Sequence, residues 1–107
     1  PSLHDLLSRH SPVLLVDAAS ATVQVGVLSA GAPARWIRMV GEAGSRLFQA
    51  TAELGFDVRQ AGAFAFCEGP GSVLGIRTSA MAIRTWNALA PRPTFAFRSL
   101  EVVAHSL

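Results

Sequence analysis

The apolar and polar positions divide this chain into short, differently patterned segments. Val13–Val16 is an unbroken apolar run that ends at Asp17, as a central strand covered on both faces does. Thr22–Leu28 alternates instead. Val23, Val25 and Val27 fall on one face and Thr22, Gln24 and Gly26 on the other, the pattern of a half-buried strand. Ser29–Pro33 is a turn, and Ala34–Val40 predicts a third strand with Trp36 and Ile37 on opposite faces. These three strands form an antiparallel meander. From Ser45 to Leu54 the period becomes helical: Leu47, Ala50 and Leu54 share a stripe, Ser45 is placed to cap the start and Gly55 to end it. Phe56–Gly62 is a connection and Ala63–Cys67 a buried strand.

Val73–Leu89 predicts the longest helix. Leu74, Met81 and Ala88 repeat at seven-residue spacing, as do Ile76 and Ile83, so two of its faces are apolar. Pro91-Arg92-Pro93 ends it. Thr94–Phe97 is a fifth strand, and Ser99 caps a last helix over Leu100–His105. A short helix, Ser2–His10, precedes everything; Ser2 caps it, and Ser11-Pro12 stops it. Beyond that helical extension the order is β-β-β-α-β-α-β-α. It implies an α/β fold with a mixed five-stranded sheet and helices on its faces.

Composition narrows the function classes. The chain has 107 residues, enough for one domain with its own core. Half of its residues are hydrophobic, which argues against disorder. Its nine basic residues are all arginine, yet the net charge is only +2 and no cluster of four or more forms, so charge alone does not make it a nucleic-acid binder. The single Cys67 rules out an internal disulfide and suggests a reducing compartment. No apolar run is long enough to span a membrane, and none has the flanks of a signal peptide, so the expected location is the cytoplasm. His4, His10 and His105 do not converge on a metal-ligand spacing, and no metal or cofactor is expected.

The candidate chemistry sits between Cys67 and the long helix. Gly69-Pro70-Gly71-Ser72 is a glycine-rich turn that opens a helix, where backbone N–H groups and the positive end of the helix dipole suit an anion such as phosphate. Asp17 ends a neighbouring strand. The same residues also read as a plain turn with Ser72 as N-cap and Asp17 closing its own turn. A hydrolase reading has little to stand on. Ser72 lies outside a G-x-S-x-G elbow, and a Cys67–His105 dyad would draw its nucleophile from the end of an apolar strand.

Gly69, Pro70, Gly71, Ser72, Gly75 and Arg77 match in register the G-P-G-S-F-T-G-[LV]-R-I-G string that follows the fourth strand in the TsaB (YeaZ) family. Val13-Leu14-Leu15-Val16-Asp17-Ala18-Ala19-Ser20 mirrors that family's I-L-A-I-D-T-S-T start, and Ser99-Leu100-Glu101-Val102-Val103-Ala104 its S-L-E-A-L-A segment. The chain therefore resembles the first half of that family over about residues 13–104. It departs at Ala18-Ala19, at Val73-Leu74 and at Gly44-Ser45-Arg46-Leu47, where the family has Thr-Ser, Phe-Thr and a His-Ser-x-x-L pattern.

The resemblance implies a ribonuclease-H-like domain of the actin-like and Hsp70-like ATPase superfamily. Residues 1–12 would be an extension, 13–107 the N-terminal domain, and the family's second domain is absent. It implies a non-catalytic subunit, or a remnant of one, in the threonylcarbamoyladenosine modification of tRNA. The chain would contact a TsaD-like protein or a second copy of itself, and tRNA only through the complex. Family members pair through helices that correspond here to Ser45–Leu54 and Val73–Leu89. Gly75, Arg77, Ser79, Ala82 and Arg84 are the expected interface residues. The alternative is a small nucleotide- or phosphate-binding domain that uses Asp17, Gly69, Gly71 and Ser72; a glycoprotease-like hydrolase ranks below both.

Overall fold

A computed structural model describes residues 3–89 and 91–98. Its elements are α1 (Leu3–His10), β1 (Val13–Asp17), β2 (Thr22–Leu28), β3 (Arg35–Val40), α2 (Ala43–Leu54), β4 (Ala63–Cys67), α3 (Val73–Asn87) and β5 (Thr94–Phe97). The predicted cap at Ser2 and the last helix over Leu100–His105 lie outside the described residues, as does His105.

The strands form one five-stranded sheet in the order β3-β2-β1-β4-β5. β1 and β2, and β2 and β3, pair antiparallel, which is the expected meander; β4 joins β1 in parallel, and β5 joins β4 in parallel. β1 is the middle strand, and its apolar run is explained by having both faces covered. Leu14 and Val16 face α2 and α3 with Val23, Val25, Leu47, Ala50, Phe64 and Ile83. Val13 and Leu15 face the other way, with Leu28, Ala63 and Ala65, against Leu7 of α1 and the phenyl rings of Phe95 and Phe97. Burying one such aliphatic side chain contributes about 1.5–3 kcal/mol.

The boundaries differ from the periodicity at two helices. α2 starts at Ala43, not Ser45, and Glu42 holds the N-cap position without a side-chain cap. The Glu42 carbonyl already accepts the Arg46 amide at 3.0 Å, so the helix is under way before Ser45 is reached. Its end is as expected: Gly55 adopts the left-handed conformation at φ 70°. α3 stops at Asn87. Its last turn tightens through the Leu89 amide, which donates to the Trp86 carbonyl at 3.1 Å. The Asn87 side chain then accepts the Arg92 amide at 2.7 Å and turns the chain toward β5. The connection before β4 holds a 3-10 turn, Val58–Gln60, capped by the Asp57 carboxylate on the Arg59 amide.

Candidate functional site

Because β1 and β4 are parallel neighbours, the turn after one and the glycine loop after the other leave the sheet side by side. In open α/β sheets this carboxyl edge is where ligands usually bind. Here the two segments lock onto each other. The Asp17 carboxylate accepts the Ala19 amide at 3.1 Å and closes the first turn. The Ser72 amide donates to the Ala19 carbonyl at 2.6 Å. The Ser72 hydroxyl accepts the Gly75 amide at 3.2 Å, the expected N-cap.

Two glycines make this contact possible. A Cβ on Gly75 would stand 1.6 Å from the Ala18 carbonyl oxygen, and one on Gly71 would stand 2.2 Å from that of Ala19. Ala18 and Ala19 are themselves buried. The departure from Thr-Ser to Ala18-Ala19 thus lies in the layer that α3 packs against.

The arrangement has a chemical consequence. Ser72 brings its amide and its hydroxyl to this edge, and both are engaged inside the chain. The Gly75 amide is engaged too, and one Asp17 oxygen is taken by its own turn. Val73 and Leu74, which start the helix, point large apolar side chains into solvent, each 69% exposed. Asp17, Gly69, Gly71 and Ser72 are therefore brought to one edge as an interlocked joint, in which the Ser72 and Gly75 amides are already engaged. Among the described residues no three His, Cys, Asp or Glu side chains gather as a metal site. Cys67 is buried at the end of β4, with its Sγ 3.7 Å from the Gly69 carbonyl oxygen.

The expected interface residues separate into two groups. Gly75, Ser79 and Ala82 are buried within this chain on the inner face of α3, with Gly75 against the β1 turn and Ala82 in the α2–α3 core. Their small size serves close approach of the helix to its own fold. Arg77 and Arg84 are exposed and share the outer side of the helix.

Of the two apolar stripes on this helix, the one that carries Ile83 is buried, and the one that carries Leu74 and Met81 turns outward. Met81 is 67% exposed, and Phe48 of α2 beside it is 51% exposed. Phe48, Thr78, Met81, Ala82 and Thr85 line a shallow groove of about 200 Å³ between the two helices. Phe48 meets Trp86 edge to face, with ring centres 6.2 Å apart. Trp86 in turn lies 5.9 Å from the Phe64 ring. The signal for this face was present in the seven-residue repeat of Leu74 and Met81, beside the equally spaced Arg77 and Arg84.

No protein-family model matches the chain, and no curated protein does. Solved structures do. YeaZ from Pseudomonas aeruginosa superposes with a TM-score of 0.76 at 25% identity, over 90% of this chain and 47% of that one. The chain is YeaZ-like. A second structure, an uncharacterized protein with similarity to peptidase YeaZ from Pseudomonas aeruginosa, gives a TM-score of 0.78 at 24% identity and shares the fold over the same proportions. The likeness to the N-terminal half of TsaB (YeaZ) that the glycine motif carries is thus present in three dimensions as well. The chain spans about half the length of these YeaZ-like structures.

Proposed function

We propose that the chain is a non-catalytic, TsaB-like subunit that acts by protein–protein contact through the outer face of α2 and α3. The partner is a TsaD-like protein, the process is threonylcarbamoyladenosine modification of tRNA, and a second copy of the chain is the competing occupant of the same face. Residues 13–107 form the N-terminal domain of a ribonuclease-H-like, actin-like ATPase fold, with 1–12 as an extension, and the setting is cytoplasmic. Among the described residues no helix is long and apolar enough to cross a membrane.

The observation that carries this reading is the exposure of Phe48, Leu74 and Met81 on adjacent helices, rimmed by Arg77 and Arg84. Exposed apolar side chains gathered within a polar rim mark contact sites, and arginine and methionine are enriched in them. The nucleotide reading draws less support, because the Ser72 amide is held by the Ala19 carbonyl and its hydroxyl oxygen accepts the Gly75 amide.

Calorimetric titration with a TsaD-like protein from the same genome tests the proposal, with ATP titrated separately. The expected result is binding with Kd of about 1 μM or tighter to the protein and no heat with ATP. Absence of protein binding together with a strict monomer in sedimentation overturns it. Heat with ATP at micromolar affinity would move the function to the glycine loop.

A further inference from the structure

Among the described residues β3 is an open edge of the sheet. The Gly41 amide donates to the Ala21 carbonyl at 3.3 Å, which makes Ala21 and Gly41 a hydrogen-bonded pair. The antiparallel register runs on from Thr22↔Val40 to Val27↔Arg35. Bonded and non-bonded pairs alternate along such a ladder. Arg35, Ile37 and Met39 therefore turn their backbone groups to β2, whereas Trp36, Arg38 and Val40 turn theirs to the open edge.

The side chains of those three residues share one face. Ile37 and Met39 pack toward α2, so Trp36, Arg38 and Val40 stand on the opposite side. Val40 is 75% exposed and Trp36 38% exposed. The indole lies flat over Gly26, where a Cβ would come within 2.6 Å of the ring. Arg38 donates to the Gln24 side chain at 3.3 Å, and Arg35 to the Leu54 carbonyl at 3.4 Å. Neither edge arginine has a carboxylate within ion-pair distance among the described residues.

We propose that the β3 edge accepts an extended acidic peptide as a sixth strand. Three residues offer paired backbone donors and acceptors, the usual basis of strand addition. Their side chains specify an apolar–x–acidic–x–apolar segment, with the acidic residue opposite Arg38 and the apolar ones against Trp36 and Val40. A second copy of the chain fits less well. Full antiparallel overlap of two β3 edges sets Arg38 directly opposite Arg38, and like charges across strands destabilise pairing.

Backbone amide exchange of the full chain, read by NMR, tests the proposal with a seven-residue peptide. The peptide carries valine, glutamate and valine at its second, fourth and sixth positions and threonine elsewhere. At saturation it is expected to slow the Trp36, Arg38 and Val40 amides about tenfold. The same peptide with lysine for glutamate leaves them unchanged, and Arg38→Glu reverses the preference between the two peptides. The proposal is overturned if these amides stay fast at about millimolar peptide, or if both peptides protect them equally. It is also overturned if they become protected with rising protein concentration alone, which would make a second copy the occupant.

Discussion

The joint between the β1 turn and the glycine loop contrasts with the outer face of α2 and α3. Both are built on α3, and they lie on opposite sides of it. In the joint, carbonyls and amides meet at close range and small residues are obligatory. On the outer face Leu74 and Met81 project into solvent, each about two-thirds exposed. The lesson is that the most distinctive string of residues serves the packing of its own helix. Its glycines are spent on letting the helix approach the central strand, so function is sought where the helix faces away.

Substitutions on the two sides sharpen the contrast. Gly75→Ala is the strongest test of the joint. With a backbone oxygen 1.6 Å from the new Cβ, the helix must move off β1. Urea denaturation should show a loss of about 3 kcal/mol or more; a loss below about 1 kcal/mol would mean that the joint is loose. Ser72→Ala removes the cap on the Gly75 amide and should cost about 1 kcal/mol. Ser79→Ala runs the other way. The Ser79 hydroxyl is buried without a hydrogen-bond partner among the described residues, so its removal should stabilise the fold by about 1 kcal/mol.

The smallest effect lies away from both regions. The Arg59 side chain, and then its backbone amide, hold the Asp57 carboxyl below its ordinary value. A depressed carboxyl stabilises the fold above the unfolded-state pKa, near 4, and loses that contribution as pH falls through the lower folded value. The pair is solvent-exposed, so the margin of the parent over Asp57→Asn should be slight at pH 6. It should narrow further below about pH 4 and in high salt, as read by denaturant melts.

Much of the architecture was legible in the sequence. The apolar runs at Val13–Val16 and Ala63–Cys67 read as strands covered on both faces, and the alternation of Thr22–Leu28 marked the meander. Ser72 announced the start of α3. The inner and outer sides of α3 were not legible, because each carried a plausible stripe. Small residues at 75, 79 and 82 and apolar ones at 74 and 81 can both be core or contact. The choice is made by the Ala18 and Ala19 carbonyls, which lie more than fifty residues earlier in the chain. The open edge of β3 was likewise invisible until the strand order placed it outermost.

The central claim is that the outer face of α2 and α3 is where the chain meets its partner. The double substitution Phe48→Glu and Met81→Glu tests it most directly, because both side chains are more than half exposed. Binding to a TsaD-like protein is measured by calorimetry, and self-association by sedimentation, alongside a denaturation curve. The account predicts stability within about 0.5 kcal/mol of the parent and at least a tenfold loss of whichever association the parent shows. A stable variant that associates as tightly as the parent would contradict it.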